Sequence, residues 1–326
     1  MKILIAGGTG FIGQTIVEHL RLDEDIEYHI LTRQHKENHG NVHYHIWDGK
    51  HMGSWKVFID HCDILINLAG KSVKCRYNSE NKAEIYDSRI DSTYILGEAV
   101  SNSKKPPKLW LNASTATIYR HETQRPNDEY EGILGEGFSV DVAKKWEEIF
   151  YSSYTPFTRK AALRSAIVFG RNAEVFKIYK NHINLGLSGR HGDGNQMVSW
   201  IHEIDFVNTL KHLIDNEACK GNYNLSAPRA VMDKVFLGTF RRLMKKTFAV
   251  PVPEWALNIG AYFCGAETEL LLKSRWVYPG RLVEEGFVFG FADHTSALKE
   301  LLRKDYGTRQ GLHRDTRRVF TEIHGD

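Results

Sequence analysis

The chain opens with a short apolar segment, residues 2–6, that leads directly into the glycine-rich loop GGTGFIG. Glycines at positions 7, 10 and 13 are followed by a helical pattern over residues 14–22. A dinucleotide pyrophosphate requires this order: one glycine makes the tight turn, the next lets the backbone approach phosphate, and the third lets helix and strand pack closely. An ordinary strand-to-helix turn is the competing interpretation. The candidate cofactor residues of the loop are Gly7, Thr9, Gly10, Phe11, Ile12 and Gly13.

Strand and helix patterns alternate through the first half of the chain. Candidate strands cover residues 2–6, 27–32, 42–46, 64–68, 109–113 and 162–169, and candidate helices cover 14–22, 79–102 and 138–152. Several strands are near-continuous apolar runs, which is typical of parallel strands covered by helices on both faces. The pattern predicts an α/β fold: a Rossmann-type, doubly wound parallel sheet with a smaller C-terminal α+β substrate lobe.

The character of the chain changes after residue 170. We therefore predict a cofactor-binding domain over residues 1–170, with sheet-completing segments from 199–226, and a substrate lobe over 171–302. The polar tail, 303–326, has five arginines and few apolar residues, so a flexible end is favoured over a binding arm. The glycine-rich segment 186–194 suits a mobile polar lid over a substrate, although an ordinary exposed loop explains it as well.

Charge, hydropathy and cysteine usage argue against several classes of protein. The 43 basic and 40 acidic residues leave a net charge of +3, which gives no support for nucleic acid or a membrane as the main partner. We find neither a signal peptide nor an apolar run near the ~20 residues that cross a bilayer, so we expect a cytoplasmic protein. The four cysteines form no C-x-x-C pair, and the 16 histidines show no i, i+4 pairing on a credible helix. We therefore expect no metal site.

The end of the second strand indicates which nicotinamide cofactor binds. In a dinucleotide fold this position meets the adenosine ribose, where an acidic residue accepts from the 2′-hydroxyl of NAD and an arginine favours the 2′-phosphate of NADP. Here the strand ends in Thr32 and Arg33, with no Asp or Glu. A guanidinium matches phosphate geometry well, so the sequence favours NADP(H) over NAD. A solvated surface arginine is the alternative.

Further motifs give the chain a specific resemblance. They are LTR at 31–33, WD at 47–48, INLAGKSV at 66–73, SR at 88–89, SWIH at 199–202 with Asp205, NLSAP at 224–228 and YPGRLVEEGFVFGF at 278–291. Together with GGTGFIG, in this order, the chain resembles the extended short-chain dehydrogenase/reductases, and in particular the NAD-dependent epimerase/dehydratase-like branch known as epimerase family proteins, which has its own C-terminal domain. The resemblance covers about residues 1–302.

The resemblance implies further residues at the cofactor. Trp47 and Asp48 end the third strand and would lie beside the adenine. The strand end that borders the cofactor would contribute Leu68, Ala69 and Gly70. Glu84 and Arg89 occupy the following helix at positions that the family places at the cofactor, although a surface ion pair explains Glu84 equally well. Val168 would pack on the nicotinamide side, where a valine is also simply part of the core.

The resemblance also implies a catalytic pair that this chain lacks. Extended reductases usually carry Tyr-x-x-x-Lys in the helix corresponding to 138–152, where the lysine lowers the tyrosine pKa for proton exchange. None of the 14 tyrosines has a lysine four residues on, and the two slots fall near Ser139 and Ala143. Thr115 falls where a substrate-orienting hydroxyl belongs, and Tyr119 could offer a phenol to the same site. Completion of a buried strand explains Thr115 equally well, and a core role explains Tyr119 better.

Two classes of function follow. The first is an NADP(H)-dependent oxidoreductase or epimerase that acts on a small polar, sugar-like substrate. The second is an NADP(H)-binding sensor or assembly partner without turnover, which the missing tyrosine and lysine favour. Related proteins often form homodimers through the helices corresponding to 79–102 and 138–152, so a homodimer is compatible with either class.

Overall fold

The computed structural model describes residues 1–20, 25–264 and 272–303, together with the side chains in these ranges other than those of 260–264. Apart from Arg303, the predicted flexible tail lies outside the described residues. No helix within the described ranges is long and apolar enough to cross a membrane.

Seven strands form one parallel sheet, in the order β10-β6-β5-β4-β1-β2-β3. A short parallel pair, β7 with β9, and a short antiparallel pair, β8 with β11, lie outside this sheet. The strands are β1 Lys2–Ala6, β2 Glu27–Thr32, β3 Val42–Ile46, β4 Ile64–Asn67, β5 Leu109–Thr115, β6 Arg159–Ser165, β7 Ile167–Phe169, β8 Met197–Val198, β9 Trp200–His202, β10 Gly221–Leu225 and β11 Val231–Met232.

Helices cover both faces of the sheet, because successive strand residues point to opposite faces and both sets are apolar. Ile3 and Ile5 of β1 lie in a core with residues of α1 and α5, whereas Leu4 lies in a second core with residues of α2 and α3. The helices are α1 Phe11–Leu20, α2 Ser79–Ser101, α3 Phe138–Ser152, α4 Glu174–Asn184, α5 Glu203–Asp215, α6 Asp233–Leu243, α7 Glu254–Cys264 and two short helices, Gly280–Glu284 and His294–Leu302.

The C-terminal part has a separate, aromatic core. Phe169, Phe176, Phe236 and Phe240 are buried together and bring α4 and α6 against the end of β7. The helix His294–Leu302 closes the same cluster. The predicted α/β fold with a doubly wound parallel sheet is therefore confirmed.

The predicted strand 162–169 differs from the observed structure. It consists of two strands: β6 belongs to the main sheet, and β7 leaves it to pair with β9. The chain changes partner at Ala166, whose N–H donates to Leu225 O, whereas the next N–H, of Ile167, donates to Ser199 O. The sequence pattern does not reveal this change, because the new partner, Ser199, lies far along the chain. The seventh strand, β10, comes from residues 221–225, and the division of the chain at residue 170 stays a prediction.

Candidate cofactor and active site

The glycine loop connects β1 to α1 under tight packing constraints. Gly7 adopts φ = +73°, in the left-handed region, and a Cβ there would lie 2.9 Å from the Ala69 backbone. A Cβ on Gly13 would lie 2.4 Å from the Gly8 Cα, so this glycine is what lets α1 approach the loop. Both positions therefore need glycine for the packing of the protein itself.

Gly10 differs from these two glycines. A Cβ there would meet nothing nearer than Gly7 O, at 3.7 Å, and the residue is exposed. Gly10 directly precedes the first turn of α1, in which Phe11 and Ile12 are partly buried. Thr9, on the other side of Gly10, is partly exposed. The backbone N–H groups of a helix start, next to a position with no side chain, form a cradle that fits a pyrophosphate.

The end of β2 presents Arg33 to solvent, while Thr32 is buried. Thr32 O accepts from Trp47 N at 3.0 Å, which joins the ends of β2 and β3. Within the described ranges the Arg33 side chain has no hydrogen-bonding or ion-pair partner, so its guanidinium is available to an anionic ligand.

Trp47 and Asp48 directly follow β3, next to the end of β2. Trp47 is buried, with its ring edge-on to Trp55 at a centroid distance of 5.6 Å. The Asp48 carboxylate accepts from the backbone N–H groups of Lys50 and His51 and lies 2.6 Å from His51 Nδ1. These hydrogen bonds, chiefly those from His51, hold the pKa of Asp48 far below its usual value.

The segment after β4 lies directly beside the glycine loop. Leu68 N donates to Ala6 O at 2.9 Å, and Ala69 N donates to Asn67 Oδ1 at 3.1 Å. The Asn67 amide also donates to Asn112 Oδ1 at 2.8 Å, which ties β4 to β5. Asn67 is fully buried, and the sequence does not single it out as a site residue, because Asn112 lies 45 residues away.

Arg89 lies behind Gly70. A Cβ on Gly70 would be 3.2 Å from the Arg89 guanidinium carbon, which also lies 5.1 Å from the centre of the Trp146 ring. Arg89 donates to Lys71 O at 3.1 Å and Ile85 O at 2.9 Å, and burial lowers its pKa to about 10. In this arrangement Arg89 holds the loop that follows β4.

Glu84 and Val168 have local explanations in addition to their predicted role. Glu84 forms an ion pair with Lys71, whose Nζ also donates to Asn81 Oδ1. Val168 is buried in the core and lies opposite Ile201 in the β7–β9 pair. The assignment of these residues to a cofactor stays a prediction.

Thr115 ends β5 at the carboxyl edge of the sheet, where ligands bind in open α/β folds. Its hydroxyl donates to Thr117 Oγ1 at 3.0 Å and accepts from Thr117 N at 3.1 Å, which starts the short 3₁₀ turn Ala116–Ile118. The residue is partly exposed, so the hydroxyl can exchange Thr117 for a ligand.

Tyr119 lies in a fully buried polar network that the sequence did not predict. The Tyr119 hydroxyl donates to Asn224 Oδ1 at 2.9 Å and accepts from Arg164 Nη1 at 2.8 Å. Arg164 in turn makes a two-bond ion pair with Glu147, whose carboxylate also accepts from Ser114 Oγ at 2.6 Å. Burial raises the pKa of Tyr119, which favours the neutral phenol. These surroundings are those of a structural tyrosine.

The structure also shows the surroundings of the two residues that occupy the positions of the missing catalytic pair. Ser139 lies in the first turn of α3 and is partly exposed. Ala143 is fully buried in a small cluster with Ala116, Ile118 and Tyr119. The position of the usual lysine is therefore filled by core packing.

The segment 186–194 is anchored, in contrast to the expected mobile lid. His191 is fully buried, with Nδ1 3.0 Å from Asp233 Oδ1 and its backbone N–H donating to the same carboxylate. Gly189 N and Gly192 N donate to Val250 O and Val252 O, both at 3.0 Å. These backbone bonds fix the segment against the lobe.

His202 and Asp205 serve the C-terminal part. His202 Nε2 lies 3.0 Å from Glu300 Oε2. The Asp205 carboxylate accepts from the N–H groups of Gly290 and Phe291, both at 2.8 Å. The two residues therefore hold the segment 290–300 against α5.

Comparisons with known proteins agree with this architecture. The model of the NAD dependent epimerase/dehydratase family matches residues 3–226, and that of a domain of unknown function, DUF1731, matches residues 252–301. An epimerase family protein of Staphylococcus saprophyticus is 31% identical over 300 residues, which are 92% of this chain and 98% of that protein. One from Staphylococcus aureus is 29% identical over 305 residues, 93% and 99% of the two chains.

Solved structures show the same fold. The human epimerase family protein SDR39U1, crystallised with NADPH, superimposes with a TM-score of 0.80 at 26% identity and covers 92% of this chain and 99% of its own. The UDP-N-acetylglucosamine 4-epimerase of Bacillus cereus has a TM-score of 0.71 at 19% identity, over 92% and 98% of the two chains. The chain thus belongs to the NAD-dependent epimerase/dehydratase family, in the epimerase-family branch of the short-chain dehydrogenase/reductases that carries its own C-terminal domain.

Proposed function

We propose that this protein binds NADPH and catalyses hydride transfer on a small polar, sugar-like substrate. The observation that carries the cofactor preference is the exposed Arg33 at the end of β2, and the open Gly10 in the loop after β1 supports pyrophosphate binding. The human relative that shares the fold was crystallised with NADPH, which supports the same preference.

The cofactor would supply the hydride chemistry at its nicotinamide ring. Gly10 and the start of α1 would hold the pyrophosphate, and Arg33 would pair with the 2′-phosphate. Thr115, at the carboxyl end of β5, would orient a substrate hydroxyl or carbonyl by exchanging its bond to Thr117. The buried Tyr119 would then hold the wall of the site through Arg164 and Asn224.

Cofactor titration tests the first half of the proposal. We expect NADPH to bind more tightly than NADH, and Arg33→Ala to weaken NADPH by about 10- to 100-fold, the effect of losing a charge-assisted hydrogen bond. NADH affinity should change little in the same variant. Arg242→Ala, which removes an exposed arginine of α6, is the matched control and should leave both affinities unchanged. Tighter binding of NADH by the wild type would contradict the NADPH assignment.

A second candidate function is a cofactor-binding sensor or assembly partner that does not turn over. The buried Ala143 in the lysine slot favours it, because no proton-transfer pair of the usual kind is present in α3. Incubation of the protein, loaded with NADP⁺ or with NADPH, with a broad panel of polar metabolites separates the two when both the reduced-nicotinamide absorbance and the metabolites themselves, by chromatography, are followed. Turnover that Thr115→Val abolishes, with NADPH affinity retained, supports the enzyme. Absence of turnover across the panel, with tight NADPH binding, supports the sensor.

A further inference from the structure

A cluster of three potential metal ligands lies beside the edge strand β10, away from the glycine loop. His212 is in the last turn of α5, Cys219 is in the loop between α5 and β10, and Glu285 follows the helix Gly280–Glu284. One imidazole nitrogen, the thiol sulfur and one carboxylate oxygen all lie within 4.8 Å of one another. Histidine spacing alone could not reveal this cluster, since 66 residues separate Cys219 from Glu285.

The distances from Glu285 to the other two donor atoms are close to those around a tetrahedral ion. Glu285 Oε2 lies 3.2 Å from His212 Nε2 and 3.3 Å from Cys219 Sγ. Zinc bonds of about 2.0 to 2.3 Å, at tetrahedral angles, separate neighbouring donor atoms by roughly 3.3 to 3.7 Å. These two distances are within a few tenths of an ångström of the tetrahedral values, and imidazole, thiolate and carboxylate are donors that zinc takes. We propose that His212, Cys219 and Glu285 bind a zinc ion, with water as the fourth ligand.

A second set of residues orients the carboxylate. Tyr223 donates its hydroxyl hydrogen to Glu285 Oε1 at 2.7 Å, and Arg281 donates to the Tyr223 oxygen at 2.9 Å. The Arg281 guanidinium also lies 4.1 Å from the centre of the Tyr223 ring. Oε1 is thereby fixed, and Oε2 is directed at the histidine and the cysteine. Such outer hydrogen bonds to a ligating carboxylate are typical of metal sites.

The cluster is closed on the protein side and open on the other. Cys219 is 1% exposed, whereas the side chains of His212 and Glu285 are 22% and 24% exposed. An ion can enter from the open side, where the water ligand would lie. Without metal, the thiol and the imidazole N–H both donate to one carboxylate oxygen, so a metal-free hydrogen-bonded cluster is the competing explanation.

The position of the site predicts a structural role. His212 and Cys219 lie in the epimerase/dehydratase segment, and Glu285 lies in the C-terminal domain segment. A bound ion would tie the C-terminal domain to the edge of the sheet. Strands β6, β5 and β4 separate this edge from β1 and the glycine loop, so cofactor affinity should not depend on the ion. Because the ion binds the folded chain preferentially, it should stabilise the protein.

Cobalt and zinc titrations of the full chain, without a histidine tag and after removal of metals by chelation, test the proposal. We expect one equivalent of Co²⁺ to produce a thiolate-to-metal charge-transfer band, and one equivalent of Zn²⁺ to abolish it. Zinc should raise the melting temperature by roughly 5 °C.

Matched variants separate the metal site from the metal-free cluster. Cys219→Ser should lose the charge-transfer band, and Glu285→Gln should weaken Co²⁺ binding at least tenfold. Cys75→Ser and Glu284→Gln, which remove a cysteine and a glutamate outside the cluster, should behave as wild type. Circular dichroism and NADPH binding show that each variant is folded. A wild type that takes up no stoichiometric Co²⁺, or a Cys219→Ser protein that keeps the band, would overturn the zinc site while leaving the proposed cofactor function intact.

Discussion

The ends of β1 and β2 differ from those of β5 and β6 in how their polar groups are satisfied. At the ends of β1 and β2, groups are left available: Gly10 faces open space and Arg33 has no partner among the described residues. At the ends of β5 and β6, polar groups satisfy one another, as in the network of Glu147, Arg164 and Tyr119. The difference agrees with the proposed binding of an anionic cofactor at the first pair of strand ends, whereas the polar groups at the second pair stabilise one another.

The largest expected effect comes from the buried polar network at the ends of β5 and β6. Glu147→Gln breaks a buried ion pair and leaves the Arg164 charge uncompensated, so we expect the free energy of unfolding to fall by about 3 to 4 kcal/mol. Chemical denaturation measures the loss. The neighbouring, exposed Glu148→Gln should change it by no more than about 0.5 kcal/mol. NADPH affinity should be unchanged in folded Glu147→Gln protein; a large loss of affinity would show that the network serves the cofactor too.

Two variants of the glycine loop separate its packing role from its proposed role in ligand binding. Gly13→Ala places a methyl group 2.4 Å from the Gly8 backbone and should cost about 3 kcal/mol of unfolding free energy. Gly10→Ala meets no atom nearer than 3.7 Å, so stability should stay within about 0.5 kcal/mol of wild type. NADPH affinity should nevertheless fall at least about tenfold in Gly10→Ala, since the methyl group fills the cradle. Equal NADPH affinities of the Gly10→Ala variant and the wild type would contradict binding of the pyrophosphate at this loop.

One contribution to the pH dependence of stability should come from strand β3. His45 of β3 stacks on Phe58 and lies 2.8 Å from a nitrogen of His29, and burial, with smaller effects of the neighbouring histidines, lowers its pKa to about 4. Between pH 6.5 and about 4 the unfolded chain therefore binds a proton that the folded chain does not, so stability falls as the pH falls.

Denaturation at several pH values checks this, with an expected contribution from His45 on the order of 1 kcal/mol. His45→Gln should reduce the slope of stability against pH, and the exposed His35→Gln should not. Equal slopes in the two variants would assign the acid sensitivity elsewhere. In β6, burial lowers the pKa of Arg164, but the hydrogen bonds of Arg164 to Glu147 outweigh burial and raise this pKa. Arg164 therefore keeps its charge.

The smallest expected effect concerns an ion pair between the loop after β4 and the C-terminal part of the chain. Lys74, in the loop after β4, pairs with Glu174 at the start of α4, and both side chains are largely exposed. Glu174→Gln should change the unfolding free energy by about 0.5 kcal/mol or less, because exposed ion pairs contribute little. A loss above about 1 kcal/mol would show that the C-terminal part is coupled to the sheet more strongly than its separate core indicates.

Local sequence signals predicted strands β1 to β3 well. The bounds of β1, β2 and β3 match the sequence expectation, and β1 is a short apolar run that ends at the glycine loop. The predicted NADP preference depends on Arg33, which follows directly from the end of β2. By contrast, Asn67, Glu147 and Arg164 gave no local signal, since their partners lie 17 to 45 residues away.

The sequence by itself determined the strand–loop–helix unit, the parallel sheet and the absence of a Tyr-x-x-x-Lys pair, because each depends on neighbouring residues. Only the tertiary structure decided which polar groups are satisfied and which are left open to a ligand. It buried Tyr119 in a hydrogen-bonded network, filled the lysine slot with Ala143, and brought His212, Cys219 and Glu285 together. The physical reason is that burial and pairing depend on contacts between distant segments, and these arise only when the sheet and the C-terminal domain assemble.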